Sequence, residues 1–153
     1  MEKPSTKLAK YGRLYDQIEK LTTPINNPIA RMSTITALLH HKMKGFFWTG
    51  FYLLDKGELL VGPYQGPIAC LRLKKDTGVC WAGINTGQTV IVDNVETFPG
   101  HIACSSLTKS EIVIPLLNNG KIIGVLDIDS RNLSQFDKDD KTGLERLIQL
   151  IYK

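Results

Sequence analysis

Apolar side chains repeat at helical spacing near both ends of the chain. After Ser5, which can cap a helix, they recur every three or four residues over 8–21 and again over 29–43. A third apolar stripe covers residues 144–151 and follows three aspartates, whose negative charge favours the start of a helix. The spacing therefore predicts two helices at the beginning of the chain and one at its end.

The middle of the chain is rich in aromatic and β-branched residues, which favour strands. The run Phe46–Leu54 predicts a strand, and Asp55–Gly57 predicts a hairpin turn after it. The sequence then predicts, in order, a short strand (Leu59–Gly62), a loop (Pro63–Pro67), a strand that carries Cys70 (Ile68–Leu73), a short helix (Cys80–Asn85) and three strands (Thr89–Val92, Ser110–Leu117 and Lys121–Ser130). Consecutive strands between terminal helices predict an α+β fold, with a central antiparallel β-sheet flanked by helices.

Length and composition fit one globular domain over residues 1–153. This length is enough to bury a core without disulfides or metals, and 42% hydrophobic with 22% charged residues argues against disorder. The net charge of +4 is spread along the chain, so no nucleic-acid partner is expected. The chain has neither a signal-like start nor a run of about eighteen apolar residues, so we expect no membrane association and a cytoplasmic location.

The chain contains three cysteines, Cys70, Cys80 and Cys104. An odd number in a cytoplasmic protein argues against a disulfide framework and for reduced thiols that are available for chemistry. Cys104 lies in the irregular segment Phe98–Glu111, which is expected to be partly buried because it also carries Ile102 and Ala103. With His101 and Lys109 close in sequence, Cys104 is a candidate reactive thiolate, and the alternative is a structural thiol packed as a small hydrophobe.

Three acidic residues are predicted to converge on one face of the sheet. Strand alternation places Asp127 and Asp129 on the same face, together with Ile123. A three-residue turn before this strand would place Glu111 opposite Asp127, whereas a two-residue turn would place it opposite Ile128. Clustered carboxylates require a cationic partner, such as a small ammonium ligand, or a retained proton. In the alternative interpretation, the two aspartates end the strand in solvent.

Several motifs, in the same order and at the same spacing, resemble those of the GAF-domain free methionine-R-sulfoxide reductases. They are Phe46–Tyr52, Gly62–Gly66, Ala69–Cys70, Gly78–Cys80, Phe98–Cys104, Ser110–Val113 and Gly124–Ser130. The cysteine separations of ten and twenty-four residues are also those of the family. The chain departs from the family pattern at Trp81 and Ser105, which follow the second and third cysteines. The resemblance covers nearly the whole chain and implies a GAF-like domain.

The resemblance implies thiol-dependent reduction of free L-methionine-(R)-S-oxide to L-methionine. It implies that Cys104 is the nucleophile and becomes a sulfenic acid, and that Cys70 condenses with it to form a disulfide. Cys80 is implied to be an auxiliary or alternative resolving thiol. Thioredoxin is the implied reductant of the disulfide. Such an enzyme would serve antioxidant repair and methionine salvage.

The resemblance also implies roles for acidic and aromatic residues. Glu111 and Asp129 occupy the family positions that face the sulfoxide, where a protonated carboxyl group can donate a proton to the departing oxygen. Asp127 belongs to the same cluster, whose remaining charge would hold the α-ammonium group of a free amino acid. Trp48 and Tyr52 would form the apolar wall for the S-methyl group, and the alternative for both rings is ordinary core packing.

No organic cofactor and no metal is expected. A zinc site built from His101 and the three cysteines would lack the paired ligand spacing typical of such sites. The family's tendency to form homodimers extends to this chain as an expectation. The alternative function is a GAF-type small-molecule or redox sensor module without catalysis, which the fold alone would also support.

Overall fold

The computed structural model describes residues 5–101 and 104–153. The helices are α1 (Thr6–Thr22), α2 (Pro28–Lys42), α3 (Gly78–Thr86) and α4 (Lys138–Ile148), with a short 3-10 helix over Val95–Thr97. The strands are β1 (Trp48–Asp55), β2 (Glu58–Gln65), β3 (Arg72–Leu73), β4 (Val90–Val92), β5 (Ser110–Asn118) and β6 (Lys121–Ser130). No helix in the described ranges combines the length and the apolar character needed to cross a membrane.

Side-chain caps start the three longer helices where the sequence predicts them. The side chains of Ser5 and Asn27 accept hydrogen bonds from the first backbone N–H groups of α1 and α2. Asp137 and Asp140 form a capping box at the start of α4, in which each carboxylate accepts a hydrogen bond from the other residue's backbone. The three predicted terminal helices are therefore confirmed.

The strands form one antiparallel sheet with the order β3-β2-β1-β6-β5-β4. Helices α1, α2 and α4 pack on one face around Phe51, Leu126 and Ile128, and this side holds the larger apolar core. Helix α3 packs on the opposite face with Trp48 and Tyr52. The predicted α+β class with a helix-flanked antiparallel sheet is confirmed.

The pairing of β5 with β6 differs from both predicted registers. Asn119 and Gly120 form a two-residue turn with φ angles of 52° and 76°, so the three-residue turn, the first of the two predicted alternatives, is wrong. A register shift beyond Leu116 then moves the rest of the pairing, and Glu111 lies opposite Asp129. The same shift turns Ile123 towards the larger core, although alternation predicted it beside the aspartates.

Two predictions around β2 and β3 are also wrong. Strand β2 continues to Gln65 through the predicted loop, because Pro63 lies at a bulge against β1, where its missing N–H breaks no ladder bond. The predicted strand Ile68–Leu73 is reduced to Arg72–Leu73, so Cys70 lies in a loop. The carbonyl groups of Pro67 and Cys70 accept hydrogen bonds from side chains of β1 instead of joining a strand ladder.

Candidate active site

A cleft lies on the α3 face of the sheet, where the loops before and after α3 meet the ends of β1, β5 and β6. It is lined by aromatic residues (Trp48 and Tyr52), carboxylates (Glu111, Asp127 and Asp129) and sulfur-bearing residues (Cys80 and Cys104). Strand pairing explains this convergence. Trp48 and Glu111 both pair with Asp129, from opposite sides of β6, and Asp127 lies two residues along the same face.

The carboxylates of the cleft lack a counter-charge among the described residues, with Glu111 and Asp127 buried and Asp129 half-buried. None of the ion pairs between described residues involves Glu111, Asp127 or Asp129. Burial raises the pKa of Glu111 well above its usual range, and repulsion from Asp127 and then Asp129 raises it further. Burial likewise raises the pKa of Asp127 and Asp129. The cluster therefore holds a proton where an isolated carboxyl group would be ionised, and it is suited to a cation.

Two oxygen atoms of this cluster lack hydrogen-bond partners. Oδ1 of Asp127 and Oδ1 of Asp129 are both enclosed, and neither has a partner among the described residues. An unsatisfied buried acceptor destabilises the folded state unless a ligand supplies a donor. Both atoms lie on residues that line the cleft. The arrangement is typical of a site that a donor-rich group completes.

Cys70 and Cys104 form a disulfide at the mouth of the cleft. Their Cα atoms are 5.7 Å apart, and the bond joins positions 34 residues apart in sequence. Cys104 is exposed and Cys70 is half-buried, so the bond is accessible to a thiol from solvent. The structure thus contains the cysteine pair that the resemblance implies, although the sequence alone predicted free thiols.

Cys80 has a different environment from the other two cysteines. It is buried in the first turn of α3, and its sulfur lies within 4.8 Å of carboxylate oxygens of Glu111 and Asp127. Burial raises the pKa of the Cys80 thiol well above its usual range, and Asp127 and Glu111 raise it further. The neutral thiol is therefore the stable form. Trp81, one of the two departures from the family pattern, is buried and donates its indole N–H to the carbonyl of Leu73 at 3.2 Å.

Trp48 and Tyr52 form an aromatic wall of the cleft, and Tyr64 stacks on this wall from outside the lining. Trp48 stacks on Tyr52 with ring centroids 5.6 Å apart and on Tyr64 at 5.2 Å. A side chain at Gly50 would meet the Cβ atom of Tyr64 at 2.3 Å, so this stack requires glycine there. Tyr64 does not line the cleft, and its support of Trp48 was missed because its segment was predicted to be a loop. Two sequence signals for this stack were available. The pair Tyr64-Gln65 is compatible with a strand, and Gly50 leaves room for the side chain of Tyr64.

Two rings of this wall also bind the loop that carries Cys70. Trp48 donates its indole N–H to the carbonyl of Pro67 at 3.1 Å, and Tyr52 donates its hydroxyl to the carbonyl of Cys70 at 3.2 Å. Burial raises the pKa of Tyr52, and the negative charge of Asp127 raises it further. The Tyr52 phenol therefore stays neutral and remains a donor. The aromatic wall and the Cys70 loop are held as one unit.

The histidine near Cys104 supplies no positive charge at neutral pH. His101 lines the cleft and is partly buried, and this burial lowers its pKa. Lys109 is exposed. Ile102 and Ala103, for which partial burial was expected, lie outside the described residues.

One group of side chains in the described part of the chain could share a metal ion. The sulfur of Cys80 and carboxylate oxygens of Glu111 and Asp127 lie within 4.8 Å of one another.

Known proteins of similar sequence and structure identify the family. Residues 31–151 match the family of GAF domains. GAF domain-containing protein A of Dictyostelium discoideum is 50% identical over 95% of this chain and 92% of its own length. The free methionine-R-sulfoxide reductase of Escherichia coli K12 is 41% identical over 82% of this chain and 76% of its own length.

A solved structure agrees with these sequence relatives. The X-ray structure of a free methionine-R-sulfoxide reductase from Neisseria meningitidis, in complex with its substrate, superposes with a TM-score of 0.91. The two chains are 41% identical, and the match covers 99% of this chain and 92% of the other. The predicted GAF-like fold is confirmed. The chain belongs to the GAF domain family and, within it, to the free methionine-R-sulfoxide reductases.

Proposed function

We propose that this protein reduces free L-methionine-(R)-S-oxide to L-methionine with electrons from its own thiols. The observation that carries the proposal is the Cys70–Cys104 disulfide at the mouth of a cleft that holds three carboxylates. Its relatives in Escherichia coli and Neisseria meningitidis carry the name of this activity. The disulfide is the product expected after one turnover.

In the first step, the reduced Cys104 thiolate attacks the sulfur of the sulfoxide. Once protonated, the sulfoxide oxygen transfers as a hydroxyl group to Sγ of Cys104. The substrate S–O bond breaks as the Cys104 S–O bond forms, so methionine leaves and Cys104 is oxidised to a sulfenic acid. The departing oxygen needs a proton, and the raised pKa of Glu111 keeps a proton available on the cluster. Asp129, directly opposite Glu111 in the sheet, is the second carboxyl group that we assign to this transfer.

In the second step, the Cys70 thiol attacks the sulfenic acid, water leaves, and the disulfide forms. A protein dithiol such as thioredoxin then reduces the disulfide by exchange and returns both cysteines to the thiol form. The cycle consumes two electrons and two protons for each sulfoxide. Cys80 serves as an auxiliary thiol, and its burial beside Asp127 supports a role in the acidic cluster.

We assign substrate recognition to the acidic cluster and the aromatic wall. The enclosed Oδ1 atoms of Asp127 and Asp129 are acceptors for the α-ammonium group. A methionine residue inside a polypeptide lacks that ammonium group and would leave these acceptors unpaired, which predicts selectivity for the free amino acid. Trp48 and Tyr52 supply the apolar surface for the S-methyl group, with Tyr64 behind Trp48.

The remaining expectations belong to the same proposal. We propose that residues 1–153 form one GAF domain, that it acts in the cytoplasm, and that two copies associate as a homodimer. A reducing compartment suits an enzyme whose cysteines must return to thiols between turnovers. Its biological role would be antioxidant repair and methionine salvage.

The proposal is tested by turnover on free methionine-R-sulfoxide, with the S epimer and a peptide-bound sulfoxide assayed alongside. Thioredoxin-coupled and dithiothreitol-driven assays are both run for wild type, Cys104→Ser and Cys80→Ser. We expect activity on the free R form alone, and a loss of about 10³-fold or more in Cys104→Ser. Cys80→Ser makes the same chemical change outside the disulfide, and it should lower turnover far less than Cys104→Ser does. Wild type inactive on every sulfoxide would reject the proposal and favour the sensor alternative.

A further inference from the structure

We infer that exposed leucines beside the Cys70–Cys104 disulfide form the docking surface for a protein dithiol reductant. The inference rests on the proposed function and adds the surface and the sulfur atom through which reduction occurs. It starts from side-chain exposure. Leu71, next to Cys70, is 76% exposed, and Leu107, three residues after Cys104, is 46% exposed. Ile68, two residues before Cys70, is 89% exposed.

These side chains are exposed although the backbone beside them is held in place. The N–H of Val61 donates to the carbonyl of Leu71 at 2.9 Å, and the hydroxyl of Tyr52 donates to the carbonyl of Cys70 at 3.2 Å. A loop with its carbonyl groups tied to the sheet presents its apolar side chains at fixed positions. Exposed apolar side chains next to a reactive group are typical of an interaction site.

The chemistry of the disulfide determines the kind of partner. Reduction needs a thiolate to reach a sulfur atom, and exposed Cys104 is more accessible than half-buried Cys70. The partner's thiolate attacks Sγ of Cys104, the bond to Cys70 breaks, and Cys70 leaves as a thiolate that takes up a proton. The partner's second thiol then attacks the mixed disulfide and frees Cys104. The partner is oxidised to a disulfide, and this chain gains two electrons.

The positive charge near the disulfide indicates which charge the partner should carry. Lys74 and Lys75 are exposed and follow the Cys70 loop, and neither takes part in an ion pair between described residues. An approaching protein with acidic side chains beside its dithiol would be attracted to this edge. The surface therefore fits a dithiol protein with an apolar contact area and an acidic margin.

The test compares a protein reductant with a small one. The double variant Leu71→Ser/Leu107→Ser is assayed with thioredoxin and with dithiothreitol, which needs no docking surface. We expect the KM for thioredoxin to rise about tenfold, a typical effect of removing apolar anchors from an interface. Turnover with dithiothreitol should stay within about twofold of wild type, because neither leucine lines the cleft. Leu21→Ser/Ile25→Ser is the matched control, since both side chains are 53% exposed near the α1–α2 junction.

The outcomes separate this inference from the function on which it rests. An unchanged KM for thioredoxin in the double variant, with normal dithiothreitol turnover, would overturn the docking surface and leave the reductase proposal intact. Wild type inactive with dithiothreitol would reject the reductase proposal, and the docking surface with it. A single-thiol variant of thioredoxin should be trapped on Cys104, and trapping on Cys70 would overturn the assigned direction of attack.

Discussion

The two faces of the sheet differ in what they bury, and strand β6 shows the difference within four consecutive residues. Leu126 and Ile128 point into the core beneath α1, α2 and α4, whereas Asp127 and Asp129 point into the cleft. One face gains stability from close apolar packing. The other encloses carboxylates, where burial and then the charge of Asp127 raise the pKa of Glu111 and Asp129. The face covered by α1, α2 and α4 therefore holds the fold together, whereas the α3 face holds the buried carboxylates of the site.

The largest effect is expected on the cleft face, where replacing Glu111 should remove most of the reductase activity. Glu111→Gln keeps the side-chain size but cannot supply a carboxyl proton, so kcat/KM should fall by about 10²–10⁴-fold. Its Tm should rise, because the change removes a repelled buried acid. Turnover with dithiothreitol and thermal unfolding are measured on the same samples. Activity within tenfold of wild type would contradict the assignment of Glu111 as proton donor.

The next effect lies on the opposite face of the same sheet. Ile128→Ala removes a fully buried side chain from the larger core, so the free energy of unfolding should fall by about 2–5 kcal/mol. Activity per folded molecule should stay within about twofold of wild type. Urea unfolding and active-site titration measure the two quantities. A loss of activity in Ile128→Ala as large as that in Glu111→Gln would contradict the assignment of stability to one face and catalysis to the other.

A smaller effect is expected in the pH dependence of stability. The pKa of Glu111 in the folded protein lies above its usual value of 4.5, so the folded state binds a proton that the unfolded chain has released. The free energy of unfolding should therefore fall as pH rises from about 4.5 towards the raised pKa of the cluster. Chemical unfolding at a series of pH values tests this. Glu111→Gln should show a shallower fall, and an equal slope would contradict the role of the cluster.

The smallest expected effect concerns the aromatic wall. Tyr52→Phe keeps the stacked ring but removes the hydrogen bond to the carbonyl of Cys70, a loss of about 0.5–1.5 kcal/mol. Reduction of the sulfoxide in a single turnover should proceed at the wild-type rate, while disulfide formation slows by up to about tenfold. Rapid-quench measurement of methionine and of free thiols separates the two steps. Slowing of the first step alone would assign the Tyr52 hydroxyl to substrate binding and not to positioning of the Cys70 loop.

The sequence predicts those features that depend on local chemistry. Ser5 and Asp137 mark helix starts through their capping side chains, and strand alternation places Asp127 and Asp129 on one face of β6. The convergence of three carboxylates was therefore predicted correctly even though the partner of Glu111 was wrong. That partner depends on a register shift beyond Leu116, which reverses the face of Ile123 and has no clear sequence signal.

The loop around Cys70 shows the second limit of sequence reasoning. Residues 68–73 have strand-like composition, and propensity predicts a strand there. The observed loop depends on donors from Trp48 and Tyr52, about twenty residues earlier in sequence. These tertiary hydrogen bonds override local preference. The disulfide likewise depends on folding, which brings positions 34 residues apart together.

The hydrogen bonds from the aromatic wall to the Cys70 loop restrict how this chain can evolve. A mutation that widens the pocket for a larger sulfoxide, by replacing Trp48 or Tyr52, also removes a donor that holds the loop of Cys70. A broader substrate range would then bring slower disulfide formation. Such a change becomes tolerable only after another side chain has taken over the lost hydrogen bond. The order in which mutations arise therefore matters for any route to a new substrate that passes through Trp48 or Tyr52.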